Sequence, residues 1–252
     1  MNSRESIEKT KQGFEESFRV DSYYNKQTRD DSHLQRIIEH LQVKEGMKIL
    51  DLGTGTGYLS FPLAEMHRQA EVVGLDIVEK TLEENQRKAA EEGLSNLRFV
   101  SYDGIKFPFV DESFDIIITR YALHHFPTIE KSFQEISRVL KKEGVFFLSD
   151  PAPNDNDTER FVDEYMQMKK DGHIKFYTKN EWKDIGKQAQ LEYIEGFETS
   201  IRFPRQRKTA LEFDNIINRH DEAVIKGYDV EVTENEIWIT EKVNNLFFWK
   251  VN

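Results

Sequence analysis

The sequence predicts a doubly wound α/β fold around a mostly parallel sheet, and three observations predict it. Met47 to Leu52 is a short apolar strand carrying Asp51, followed by a loop with glycines at 53, 55 and 57 and a helical pattern at Leu59, Leu63 and Met66. Strand-like and helix-like runs then alternate five times within the first 150 residues. The run Ile116-Ile117-Ile118-Thr119 is nearly all apolar, as a strand buried on both faces must be. Sheets of this kind bind ligands at the carboxyl ends of their strands.

The elements follow in order. Arg4 to Phe18 carries a sparse apolar stripe (Ile7, Phe14, Phe18), with Tyr23 and Tyr24 after it. Asp31 or Ser32 caps a helix that runs to Leu41, with Leu34, Ile37, Ile38 and Leu41 on one face. A second strand, Glu71 to Leu75, ends on Asp76, and a charge-rich helix covers Val78 to Glu92. Strand three, Leu97 to Ser101, runs into Tyr102-Asp103-Gly104-Ile105, and strand four into Arg120 and the pair His124-His125. Ile129 to Leu140 is a helix, and Val145 to Ser149 is strand five.

The glycine loop narrows the ligand class, and the residues after it must decide. Glycines let a ligand lie against the main chain, and the helix after them points free N–H groups at that spot. A dinucleotide site requires G-x-G-x-x-G; here the third glycine position is Tyr58, which hinders close helix–strand packing. No nucleoside-triphosphate loop of the form G-x-x-x-x-G-K-[ST] occurs. Asp76, 19 residues past Gly57, is placed to accept both hydroxyls of a ribose. That spacing suits a nicotinamide dinucleotide as well as any other adenosine ligand.

The run Asp51-x-Gly53-x-Gly55-x-Gly57 resembles motif I of the class I S-adenosylmethionine-dependent methyltransferases. The run from Phe114 to Phe126, F-D-I-I-I-T-R-Y-A-L-H-H-F, strongly resembles the ubiquinone/menaquinone-biosynthesis type of small-molecule methyltransferase. The resemblance covers roughly Leu41 to Asp150. It implies a seven-stranded sheet in the order 3-2-1-4-5-7-6, strand 7 antiparallel, with helices on both faces. It implies S-adenosyl-L-methionine as cofactor, with Asp51 and the Gly53 backbone at the methionyl ammonium and Asp76 at the ribose. Asp103 would meet the adenine amine, Ile77 and Ile105 the ring faces, and Arg120 would close the methionyl end; Thr54, Gly55, Gly57 and Gly104 are further cofactor-binding positions. The N-terminal 1–30 segment is either a surface helix packed by its aromatics or a lid over the cofactor.

Methyl transfer from a sulfonium is an in-line displacement with a neutral leaving group, so positioning can supply much of the rate. An acceptor hydroxyl, amine or carbon acid can also need a base, and His124 or His125 is the candidate. The alternative for either is a helix-start histidine bonded to backbone, or a partly buried core histidine. No histidine or acid cluster has zinc-ligand spacing, and no metal is expected.

The rest of the chain carries weaker signals. Thr158 to Lys170 and Asn180 to Gln188 read as helices, Leu191 to Phe203 as strand six and Val243 to Val251 as the last strand. Between the last two strands, 204–237 is an insertion longer than a hairpin needs. It opens with the basic cluster Arg202, Arg205, Arg207 and Lys208, read as a solvated run, and holds an amphipathic stretch, Thr209 to Ile225. That helix, with Phe213, Ile217 and Val224 on its apolar face, either covers the acceptor, with Tyr23, Tyr24 and His124 facing it, or only caps the sheet edge or makes a dimer contact.

The 252 residues suit a single domain, and 38% hydrophobic with 32% charged residues describes a globular chain. A net charge of −11 argues against nucleic acid as partner. There is no cysteine, no signal-peptide core and no apolar run of about 18 residues, so a cytoplasmic enzyme with no membrane span is expected. The expected activity is methyl transfer from S-adenosylmethionine to a small-molecule acceptor on oxygen, nitrogen or carbon. The competing readings are a non-catalytic cofactor-binding module, a NAD-dependent oxidoreductase and an RNA methyltransferase.

Overall fold

The computed structural model describes residues 2–19, 30–169, 171–206 and 210–251. Tyr23, Tyr24, Arg207 and Lys208 lie outside the described residues. Helix α1 (Ser3–Arg19) and α2 (Asp31–Leu41) precede β1 (Lys48–Leu52). The alternation continues with α3 (Ser60–Met66), β2 (Glu71–Asp76), α4 (Glu79–Glu91), β3 (Leu97–Ser101) and β4 (Phe114–Arg120). A 3-10 turn at Leu123–His125 leads to α5 (Ile129–Val139) and β5 (Leu140–Ala152). The second part holds α6 (Phe161–Gln167), α7 (Lys179–Gln188), β6 (Leu191–Gln206), α8 (Ala210–Ile217), α9 (Glu222–Gly227), β7 (Glu231–Val232) and β8 (Glu236–Lys250).

The sheet order is β3-β2-β1-β4-β5-β8-β6, with the two-residue β7 paired to β8. Strands β3 to β5 pair parallel, and β8 runs antiparallel between β5 and β6. The expected strand path is therefore present, with β7 as a small addition. Alternation along the central strands explains why both faces are covered. Leu50, Leu52, Ile117, Phe146 and Leu148 pack on one face against Phe133 of α5 and Trp182 of α7. Ile49, Ile116, Ile118 and Phe147 pack on the other, against Ile37 of α2 and Leu63 of α3.

Two features of the second part differ from expectation. The amphipathic stretch is broken into α8 and α9, because Asp221 accepts the Ala223 amide and starts a new helix. The last two strands also run on into the insertion: Pro204 pairs with Trp238 and Gln206 with Glu236. This extended β6–β8 ribbon rises past the end of β5 and carries its own core. There Phe161 and Tyr165 of α6, Phe213 and Ile216 of α8, Tyr228, Phe203 and Ile239 are all buried together. We call this unit the cap.

Candidate functional site

The loop after β1 is tied to its neighbours before any ligand is considered. The Gly53 and Thr54 amides donate to the Leu75 carbonyl, at 2.8 and 3.2 Å. Gly53 has φ +71°, and a Cβ there would run into the Ala122 side chain. Gly57 has φ +80°, and its Cβ would sit 2.5 Å from the Phe61 ring. Both positions therefore demand glycine, for conformation and for space.

Above this loop lies a cavity of about 930 Å³, part of it open to solvent. Asp51, Gly53, Thr54 and Gly55 form its floor, and Asp76, Ile77 and Gly104 one end. Arg120 and His125 also line it, whereas Gly57, Asp103, Ile105 and His124 do not. Helix α1 contributes Ile7, Thr10 and Phe14 to the wall.

Asp51 is 3% exposed, and its Oδ2 accepts from the Thr54 and Ser60 hydroxyls at 2.8 and 2.6 Å. Burial nevertheless pushes its carboxyl up to about 6. The buried acid is thus poised to gain from a cation placed beside it. Asp76 accepts the Gly55 amide on Oδ2 at 2.8 Å and the Ile77 and Val78 amides on Oδ1 at 2.7 and 3.0 Å. A carboxylate has about four acceptor positions, so one remains on Oδ2. Burial also raises this carboxyl.

The loop after β3 turns its residues differently from the expected arrangement. Asp103 is exposed, and its Oδ1 accepts the Ile105 and Lys106 amides at 2.9 and 3.0 Å. Those amides hold its carboxyl low. Ile105 is 37% exposed and off the wall, and Tyr102 lines the cavity instead. Tyr58, the departure from the dinucleotide pattern, is also on the wall.

The two histidines part company. His124 Nδ1 lies 2.9 Å from Asp150 Oδ1, both groups being buried. Burial lowers the imidazole well below its usual value and raises the carboxyl well above its own, so both groups are pushed toward their neutral forms. His125 lies at 5.0 Å edge-on to Phe14, and its Nδ1 has no hydrogen-bond partner. Burial and then the neighbouring His124 lower its pKa well below the usual value. Among the described residues no group of side chains could hold a metal ion, and no helix is long and apolar enough to cross a membrane.

The sequence profile of a family described as "Methyltransferase domain" matches residues 43–194. The chain belongs to this methyltransferase family. It is 34% identical over 158 residues to the "Uncharacterized methyltransferase YcgJ" of Bacillus subtilis (strain 168), covering 62% of each chain. It is 37% identical over 110 residues to the demethylmenaquinone methyltransferase of Thermus thermophilus, covering 44% of this chain and 50% of that one. The chain thus spans less than two thirds of the length of these relatives. The crystal structure of YcgJ superposes with a TM-score of 0.76 at 26% identity, covering 88% of this methyltransferase and all of that chain. The resemblance seen in motif I and in the run Phe114 to Phe126 therefore holds.

Asp76 at the end of β2 and the glycine loop were legible from motif spacing. Tyr58, Tyr102 and Tyr121 were not assigned to the cavity from sequence. For Tyr121 a signal existed: it follows Arg120 directly at a strand end. For α1 the sequence left a packed surface helix and a lid over the cofactor both open, and the helix lines the cavity.

Proposed function

We propose that this protein transfers the methyl group of S-adenosylmethionine to a small-molecule acceptor. One observation carries the reading: a buried acid, a positive-φ glycine loop and a second acid with one open acceptor position face one cavity. S-adenosylmethionine has an ammonium and a sulfonium and no phosphate, so acids and backbone suit it better than cations do. In the proposed arrangement, Asp51 and the Gly53 backbone take the ammonium, and the remaining position on Asp76 Oδ2 takes a ribose hydroxyl. Ile77 and Tyr102 flank the adenine, with Asp103 offering only Oδ2 to its amine because two amides occupy Oδ1. Arg120 closes the methionyl end.

When bound, the cofactor supplies an electrophilic methyl with a neutral thioether as leaving group. The chain positions it, excludes water with α1, and offers His125 as a neutral imidazole at the wall. His124, held by Asp150, positions that turn. The net charge of −11 supports a small molecule over a nucleic acid as acceptor. A cytoplasmic location is proposed alongside, to be checked by fractionating cells that express the tagged chain. The direct test is calorimetry with S-adenosylmethionine and S-adenosylhomocysteine, which should show one site. Tight binding of NADH, with neither of these bound, would overturn the reading.

A further inference from the structure

A second cavity, of about 460 Å³, opens behind Phe14, Tyr121 and His125, the side chains it shares with the first. Its near side is the 3-10 turn after β4. Its far side belongs to the cap: Met166 and Phe176, Ile201 and Phe203 of β6, and Glu241 of β8. Most of this wall is apolar or aromatic, and the polar groups on it are few enough to take one at a time.

Lys169 is a lining cation, and it has partners: its Nζ lies 3.8 Å from Asp171 Oδ2 and 5.5 Å from the centroid of the Phe203 ring. His124 and His125 are held uncharged by burial. Glu241 is different. It stands opposite Ile201 in the β6–β8 pairing, is 1% exposed, and its Oε1 accepts no hydrogen bond. Burial pushes its carboxyl up to about 8, against the pull of Lys169 and Arg205. A buried carboxyl without a partner is costly, whereas the cost falls when a donor and a charge meet it. Lys169, the cavity's own cation, is paired with Asp171 and lies over Phe203, so what Glu241 Oε1 lacks is a hydrogen-bond donor. An ammonium has three donors and no acceptor, and an aromatic wall that includes Phe176 favours a cation beside it. An anionic ligand would instead face Glu241 and Asp171 together.

We propose that the second cavity is the acceptor site and that Glu241 anchors its ligand, a small molecule with an apolar body and one protonated amine. The proposal rests on the reading of the first cavity as the cofactor site.

The test titrates the full chain, saturated with S-adenosylhomocysteine, with benzylamine, phenethylamine and phenylpropylamine, and separately with the corresponding alcohols. At least one amine should bind about tenfold or more tighter than its alcohol, the scale of a hydrogen bond to a charged group. Glu241→Gln should abolish that preference and leave the affinity for S-adenosylhomocysteine unchanged. If no amine outbinds its alcohol, or if the preference survives in Glu241→Gln, the proposal is overturned. Should that variant fail to fold, the amine-to-alcohol ratio in the wild type still decides, with Glu241→Asp as the second variant. There a shortened reach should weaken the amine and spare the alcohol; equal effects on both overturn the proposal. Failure of S-adenosylhomocysteine to bind at all would overturn the cofactor reading and this proposal with it.

Discussion

The guanidinium of Arg120 lies 4.2 Å from the centroid of the Tyr58 ring, and Tyr121 flanks it at 3.9 Å. Tyr58 thus holds a cation at the cavity mouth from the position where a dinucleotide site has glycine. Its hydroxyl also donates to the Asp30 carbonyl at 2.5 Å, tying the loop to the start of α2. A cation–π contact of this kind contributes roughly 0.5–2 kcal/mol. Tyr58→Ala should therefore weaken S-adenosylhomocysteine binding by that amount, and Tyr58→Phe by less, because the ring stays. Calorimetry on both variants checks this; equal losses would mean that the hydroxyl, not the ring, matters.

Asp76 is proposed to bind the ribose through its one open position. Asp76→Ala should weaken cofactor binding by roughly 1.5–3 kcal/mol, the range for hydrogen bonds to charged groups. The same change strips the Gly55, Ile77 and Val78 amides of their acceptor, so the melting temperature should fall as well. Unchanged affinity would refute the ribose role.

Asp51 gives the cofactor site a pH dependence. Its carboxyl sits at about 6 in the free protein, and an ammonium partner favours the ionised form. Affinity for S-adenosylmethionine should be full above that value and fall as pH drops through it, approaching about tenfold per pH unit. Asp51→Asn should bind weakly and lack this limb of the profile. A wild-type affinity that is flat through this range would exclude Asp51 as the ammonium partner.

Of the two histidines, His125 reaches both cavities, while His124 is committed to Asp150. With a base-dependent acceptor, His125→Asn should lower kcat by about 10²-fold or more, with a much smaller change in cofactor affinity. A kcat within about twofold of wild type would leave positioning alone as the source of rate.

Glu241 also sets a stability trend. Its folded pKa of about 8 lies above the ordinary 4.5, so the folded chain holds the extra proton in that window. The stability this group contributes is fully present below about 4.5 and is lost as pH rises through about 8. Glu241→Gln should therefore melt above wild type at alkaline pH, with the gap closing on acidification. Thermal melts across that range provide the measurement, and Asp51, which does not act on Glu241, cancels because both proteins carry it. A gap that does not change with pH would contradict the assignment.

The legible parts of the molecule were those where local pattern and ligand chemistry coincide. Asp51, Gly53 and Asp76 sit at strand ends, where period-two alternation stops and a glycine or an acid stands out. The loop after β3 defeated the same reasoning by one or two residues. Gly104, at φ +77°, lines the cavity, and Asp103 caps the Ile105 and Lys106 amides outward. The Asp103 side chain spends Oδ1 on the amides two and three residues on, a local bond that competes with any role toward a ligand. Glu241 was invisible for another reason. In sequence it is one of two acids on β8, and only the pairing of β8 with β6 brings it opposite Ile201. The continuous helix expected over Thr209 to Ile225 failed because Asp221 prefers to cap than to continue. The expectation that this stretch itself covers the acceptor also changes: Phe213 is buried against α6 inside the cap, and the cavity is lined by Met166, Phe203 and Glu241.

The separate core of the cap has a consequence for how such a chain diversifies. Among the described residues, Phe161, Tyr165 and Phe213 belong to the cap's own cluster and to neither cluster on the sheet. Substitutions accumulating in the cap reshape the second cavity without disturbing Asp51, the glycine loop or Asp76. A lineage can thus trade one acceptor for another while inheriting the donor site intact.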